Sequence, residues 1–217
     1  MLKVALSEVP SPCRILAIGC HADDIEIGCG GTILSLIESL PAVEVCWVVL
    51  SANGDRAEEA QKSADAFLEG AAGREVILRG DRDGFLPYNG SDVKQFFEDL
   101  KPKISPDLIF THYLDDRHQD HRLAAELTWN TFRDHLILEY EVPKYDGDTG
   151  APNLFVPLSE DLRRRKIDHL MTHFASQRPK RWFKEDLFSG LLRLRGMECN
   201  SPTSFAEAFY CRKARLA

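Results

Sequence analysis

Short apolar runs alternate with amphipathic stretches along the first two thirds of the chain. Arg14 to Cys20 (RILAIGC) is a continuous hydrophobic run, too short for a helix and followed by loop residues. Gly31 to Leu40 then places Ile33, Leu34, Leu36, Ile37 and Leu40 on one helical stripe closed by Pro41. Val43 to Leu50 is β-branched and aromatic and predicts a strand, whereas Arg56 to Glu69, rich in Ala and Glu, predicts a helix. The rhythm continues with a strand at Glu75 to Leu78, a helix at Ser91 to Leu100 with Ser91 as N-cap, and a strand at Asp107 to Thr111. A helix following His121 to about Arg133 and a strand at Leu136 to Tyr140 complete the series.

Strand–helix–strand alternation of this kind builds a parallel sheet with helices on both faces. The expected fold is therefore α/β: a doubly wound, Rossmann-like, mostly parallel sheet over about residues 14–142. Beyond Pro143 the rhythm weakens. Tyr145 to Pro152 reads as a loop and Asn153 to Val156 as a short strand. Helices at Glu160 to Phe174 and Trp182 to Leu194 and a last strand near Ala206 to Cys211 follow. This makes one domain, with a small C-terminal appendage over about 143–217.

Composition narrows the function classes. The 217 residues are 44% hydrophobic and 28% charged, which is enough apolar material for a buried core and excludes a disordered chain. Lys and Arg number 27 against 34 Asp and Glu, a formal charge of −7, which argues against a nucleic-acid partner. No apolar run approaches the ~18 to 20 residues that cross a bilayer, and the first twenty residues predict no secretion signal. Six cysteines without a CxxC spacing read as reduced, mostly buried thiols in a cytoplasmic protein.

The candidate chemistry lies in two loops. His21, Asp23, Asp24 and Glu26 fall within six residues after the first strand, just before the cluster Gly28-Cys29-Gly30-Gly31 that lets the chain turn into a helix. After the fourth strand, His112 to His121 holds three imidazoles and three carboxylates in ten residues. A sheet ordered 3-2-1-4-5 makes strands one and four neighbours, so both loops would face one crevice where strand order reverses. An Asp-rich loop is by itself more often turn chemistry, and a lone His more often a surface or satisfied core residue. Two such loops at one sheet edge point instead to a metal site. Nitrogen and oxygen donors suit Zn²⁺ with a water in the open position, and another divalent cation could use the same set. One of Asp23 and Asp24 can ligate while the other handles protons; spacing does not say which.

These residues carry a resemblance. His21-Ala22-Asp23-Asp24, followed by Ile27-Gly28-Cys29-Gly30-Gly31-Thr32, resembles the His-Pro-Asp-Asp signature of the LmbE/PIG-L family of zinc-dependent N-deacetylases. His118-Gln119-Asp120-His121-Arg122 resembles that family's second signature, His-Pro-Asp-His. Weaker echoes at Arg56-Ala57-Glu58-Glu59-Ala60, Ser176-Gln177 and Ala206-Glu207-Ala208-Phe209 extend it from about Arg14 to Tyr210. Ala22 and Gln119 replace the usual prolines, which removes a φ restraint from each loop. Ile25 stands where a Glu follows the Asp pair, so that Glu's role is not transferred to Glu26.

The resemblance implies that His21, Asp24 and His121 ligate zinc and that Asp23 is the general base. It further implies that His118 stabilises the oxyanion and that Asp120 orients a histidine. The implied reaction is removal of an acetyl group from an N-acetylated amino sugar or glycoconjugate, and a homo-oligomer is compatible with it. Arg56 and Asp83 follow the second and third strands on the same edge and are candidates for binding sugar hydroxyls, although each reads more readily as a solvated loop charge. The basic run Arg163-Arg164-Arg165-Lys166 reads as a solvated helix face, and Glu207 as a structural acceptor. Two rivals are a non-catalytic metal- or ligand-binding relative and a nucleotide- or S-adenosylmethionine-binding domain. The second lacks glycine at Ile33 and sets three carboxylates where a pyrophosphate would lie.

Overall fold

The fold follows from a computed structural model that describes residues 9–215; the first eight residues of the stretch read for a secretion signal lie outside it. Its core elements are β1 (Cys13–His21), α1 (Asp24–Ser39), β2 (Val43–Ser51), α2 (Asp55–Phe67), β3 (Gly73–Leu78), α3 (Gly90–Leu100), β4 (Leu108–His112), α4 (Gln119–Thr131) and β5 (Leu136–Tyr140). The appendage adds β6 (Leu154–Pro157), α5 (Glu160–His173), α6 (Glu185–Glu198) and β7 (Ala206–Cys211). The seven strands form one sheet in the order β3-β2-β1-β4-β5-β7-β6. The first five are parallel, while β7 runs antiparallel to both β5 and β6. The appendage thus extends the sheet of the core.

Alternation along β1 divides the interior in two. Ile15 and Ala17 join a cluster with Ile25 and Ile33 of α1, Phe67 of α2, Leu170 of α5 and Leu192 of α6. Leu16, Ile18 and Cys20 join the other, with Val93 and Phe97 of α3 and Ala124 of α4. Successive strand residues point to opposite faces, so a run apolar at every position is the pattern of a strand covered on both. Trp47, wholly buried, belongs to the first cluster, as a core residue of β2.

Several boundaries differ from the sequence reading. The first helix begins at Asp24 rather than Gly31, because its first half is buried all round and shows no polar face to mark a period. Its glycines therefore serve close packing instead of a turn: a Cβ on Gly28 would lie 2.0 Å from Cδ2 of Tyr140. Ser91 does not cap α3. The single-turn 3-10 helix Leu86–Asn89 runs straight into it, with Asn89 at the cap position. The helix after β4 begins at Gln119, with His118 as N-cap and its side chain accepting from Asp120 N. The last helix starts at Glu185, because Phe183 is wholly buried against Phe174 and Phe188 and Lys184 is extended.

All six cysteines are free; Cys13, Cys20 and Cys29 are buried and the other three partly so. Lys166 is not solvated. It is buried against Glu207, which also accepts the backbone N–H groups of Gly31 and Thr32 and so ties β7 and α5 to α1. Among the described residues no helix is long and apolar enough to cross a membrane.

Candidate active site

The site opens where β1 and β4 part. Their ladder ends at Ala17 opposite Phe110, yet β1 continues to His21 and β4 to His112. Beyond the last rung the wholly buried His112 takes the role of a ladder partner, its Nε2 accepting Cys20 N–H at 3.0 Å. His21 closes β1 and Asp24 opens α1, so the turn between them is short. His21 N–H donates to Asp24 Oδ2 at 2.7 Å, which holds that carboxylate under the strand end.

Three side-chain atoms meet there. His21 Nδ1 lies 3.2 Å from Asp24 Oδ2 and 3.2 Å from His121 Nε2, and His121 Nε2 lies 3.4 Å from the same Asp24 oxygen. A tetrahedral ion with zinc-like bonds of about 2.0–2.1 Å needs ligand atoms about 3.3–3.4 Å apart. The triangle therefore fits such an ion without rearrangement, and two imidazole nitrogens with one carboxylate oxygen are a donor set that zinc accepts.

Each histidine is held from behind. His121 Nδ1 meets Asp116 Oδ2 at 2.9 Å, and its ring stacks on His112 with centroids 3.8 Å apart. His21 Nε2 lies 3.0 Å from Asp83 Oδ1 and 3.5 Å from Asp120 Oδ2, ion-pair distances rather than aligned hydrogen bonds. Asp120, fully buried, accepts the N–H groups of Gly84 and Leu86 at 2.7 and 3.1 Å, which fastens the segment after β3 to the start of α4.

Asp23 immediately precedes Asp24 in the chain. Arg56 Nη2 donates to its Oδ1 at 2.7 Å, while Oδ2 is buried and has no hydrogen-bond partner. Arg56 also contacts Glu59 at 3.5 Å, and Glu59 binds Ser176 through both the backbone N–H at 2.8 Å and the hydroxyl at 2.6 Å. The sequence echoes at Arg56–Glu59 and Ser176 thus form one network. His118 packs edge-on to His21, centroids 4.9 Å apart; its Nδ1 accepts Asp120 N–H at 3.3 Å, which leaves the ring proton of the neutral tautomer on Nε2.

Burial alone would neutralise this cluster, but the pairing opposes it. Burial pushes the His21 imidazolium down, yet Asp24, Asp120 and Asp83 outweigh it and hold His21 well above its ordinary range. His121 is likewise raised, burial being outweighed by Asp24 and Asp116. Asp24, which burial would raise, is held well below the usual carboxylate range by His121, His21 and His112. His112 and His118 go the other way: burial and the positive charge at His121 push His112 down to about 4 and lower His118 as well. The electrostatics therefore favour positive charge among His21, Asp24 and His121 and a neutral imidazole at His118.

Of the residues singled out from sequence, the structure brings His21, Asp24, His118, Asp120 and His121 together, with Asp23 adjacent to Asp24 in the chain. Arg56 is committed to Asp23, and Asp83, with a side chain 76% exposed, lies against His21. Asp116 and His112 were not singled out, although both lie in the acid- and His-rich stretch from His112, which closes β4, to His121. Spacing within that loop gave no sign that Asp116 is the carboxylate reaching back to His121.

The family profile described as PIG-L: GlcNAc-PI de-N-acetylase matches residues 16–132, which include both signatures. The chain is 28% identical over 172 residues to YaiS of Escherichia coli K12, named an uncharacterized deacetylase, covering 73% of this chain and 89% of that one. N,N'-diacetylchitobiose deacetylase from Pyrococcus horikoshii superposes with a TM-score of 0.68 at 22% identity, over 94% of this chain and 86% of the other. GalB, the 4-carboxy-2-hydroxymuconate hydratase of Pseudomonas putida KT2440, gives 0.71 at 17% identity, over 94% and 98%. The conserved protein TT1542 of Thermus thermophilus gives 0.70 at 19% identity, over 94% and 96%. Sequence match and fold agree: this chain belongs to the PIG-L (LmbE-like) family.

Proposed function

We propose that this chain is a divalent-metal-dependent N-deacetylase, with zinc as the favoured ion, acting on an N-acetylated amino sugar or sugar conjugate at the switch point of a doubly wound sheet. The observation that carries the proposal is the triangle of His21 Nδ1, Asp24 Oδ2 and His121 Nε2, joined to a buried, unpartnered oxygen on Asp23, the residue before Asp24. Family membership favours deacetylation among the reactions such a centre supports.

His21, Asp24 and His121 would hold the ion, whose contribution is to polarise the acetamide carbonyl and acidify the attacking water. Asp23 is the general base. Arg56 anchors its Oδ1, so Oδ2 takes the proton from the water and afterwards returns it to the departing amine. His118, neutral and protonated on Nε2, donates to the oxyanion that develops on the former carbonyl. Asp120 keeps the segment after β3 in place and faces the outer nitrogen of His21. Arg56 then acts on the substrate only through Asp23, whereas Asp83, 76% exposed, keeps its Oδ1 at His21 Nε2 and would offer its other oxygen to a sugar hydroxyl.

Hydration is the second reading, favoured by the likeness to GalB. It would use the same water activation on a carbon–carbon double bond, hydroxide adding to one carbon and the proton taken by the base passing to its neighbour instead of to a leaving amine. Metal content by elemental analysis, with acetate and amine release across N-acetylglucosamine derivatives, tests the proposal. One bound divalent ion and stoichiometric acetate and amine are expected. Metal binding with no acetamide cleaved, but water added to an unsaturated acid, would replace deacetylation by hydration. Neither activity would leave a binding relative.

A further inference from the structure

Lys144 belongs to no part of the chemistry described above, yet it is almost enclosed beside the centre. Its Nζ contacts Asp116 Oδ2 at 2.9 Å, Asp148 Oδ2 at 2.7 Å and the carbonyl of Val142 at 3.3 Å. Side-chain exposure is 12% for Lys144 but only 3% and 6% for the two carboxylates. Asp116 Oδ2 is also the oxygen that meets His121 Nδ1, and its Oδ1 accepts His118 N–H at 2.7 Å. Asp148 Oδ2 in turn accepts Arg117 N–H at 2.7 Å. One ammonium therefore stands between two nearly buried carboxylates, one of which touches the outer nitrogen of a candidate metal ligand.

We propose that Lys144 is a positioning residue for His121: by bridging Asp116 and Asp148 it fixes the carboxylate that orients the imidazole, and so couples metal affinity to the loop that begins the appendage. The inference rests on the metal-centre reading of the preceding section. Two carboxylates within 3 Å of one ammonium repel each other once that charge is removed, and in a nearly buried setting little water screens them. Asp116 would then turn away from Asp148, and His121 would lose the contact that sets its ring plane. Loss of a carboxylate that orients a metal-bound histidine typically weakens metal binding about 10- to 100-fold.

The test is zinc affinity of full-length Lys144→Met by competition with a chromophoric chelator, alongside the visible spectrum of the cobalt-substituted protein. The melting temperature of each metal-free protein is the control for folding. About tenfold weaker zinc binding and an altered cobalt spectrum, with the metal-free fold retained, are expected. Wild-type affinity with an unchanged cobalt spectrum overturns the proposal. Should Lys144→Met not fold, Lys144→Gln, which keeps a hydrogen-bond donor without the charge, is measured in the same way and decides by the same two outcomes. A wild-type protein that binds no divalent ion would instead remove the metal-centre reading itself. A metal-loaded, acetate-releasing wild type with an unaffected variant removes only the role of Lys144.

Discussion

His21 Nδ1 and His121 Nε2 lie 3.2 Å apart although a hundred residues separate them along the chain. Both face Asp24 Oδ2, and each has a carboxylate at its other ring nitrogen. Removing either imidazole leaves two donors, too few for a tight site. His121→Ala is expected to purify without metal and without deacetylase activity, and Asp24→Asn to lose most of its metal. Elemental analysis after dialysis checks both. Stoichiometric metal in His121→Ala would show that the ion sits elsewhere.

Asp23 offers the complementary case. It touches Arg56 and none of the three candidate ligand atoms makes a hydrogen bond to it. Asp23→Asn should therefore keep bound metal while losing about 10²- to 10⁴-fold in kcat, the usual worth of a positioned general base. Metal analysis and steady-state acetate release on the same preparation separate the two effects. Metal loss with turnover preserved would reverse the roles of Asp23 and Asp24.

Glu26 should make stability depend on pH in an unusual direction. Its Oε1 accepts from Ser63 Oγ at 2.6 Å, its Oε2 has no partner, and burial pushes its carboxyl up from 4.5 to about 8. The folded state then keeps a proton that the unfolded chain has released, so this residue lowers stability as pH rises from 4.5 towards 8. The effect is on the order of 1.4 kcal/mol for each unit of displaced titration. Denaturant unfolding at pH 5 and pH 8 should show that Glu26→Gln is less pH-sensitive than wild type. Identical slopes for both proteins would mean that Glu26 is ionised in the fold.

The buried pair of Lys166 and Glu207 holds the appendage to the core. Glu207 accepts Gly31 N–H and Thr32 N–H at 2.8 and 2.6 Å, and Lys166 also donates to the carbonyl of Ile27 at 2.6 Å. Lys166→Met leaves the carboxylate uncompensated and should cost about 3–5 kcal/mol. Chemical denaturation measures it. A loss below about 1 kcal/mol would mean that the two backbone donors alone satisfy Glu207.

What the chain determined by itself was local and periodic. Runs such as Arg14 to Cys20 are apolar at nearly every position because β1 is covered on both faces, and strand–helix alternation of that kind indicates a parallel sheet. The two loops rich in His and Asp were legible for the same reason: their composition is concentrated in a few consecutive residues. Tertiary structure alone decided the rest. Gly28 and Gly31 could not be read as helix interior, because what packs on them, Tyr140 on one and Leu158 and Glu207 on the other, lies more than a hundred residues away. Lys166 sits in a basic run that looks solvated until β7 brings Glu207 beneath it. Asp116 and Asp120 lie four residues apart in one acidic stretch, yet one meets His121 Nδ1 while the other holds the segment after β3 and faces His21. Which carboxylate meets which imidazole depends on the register of β1 against β4 and on where α4 starts, and neither leaves a mark in the order of the residues.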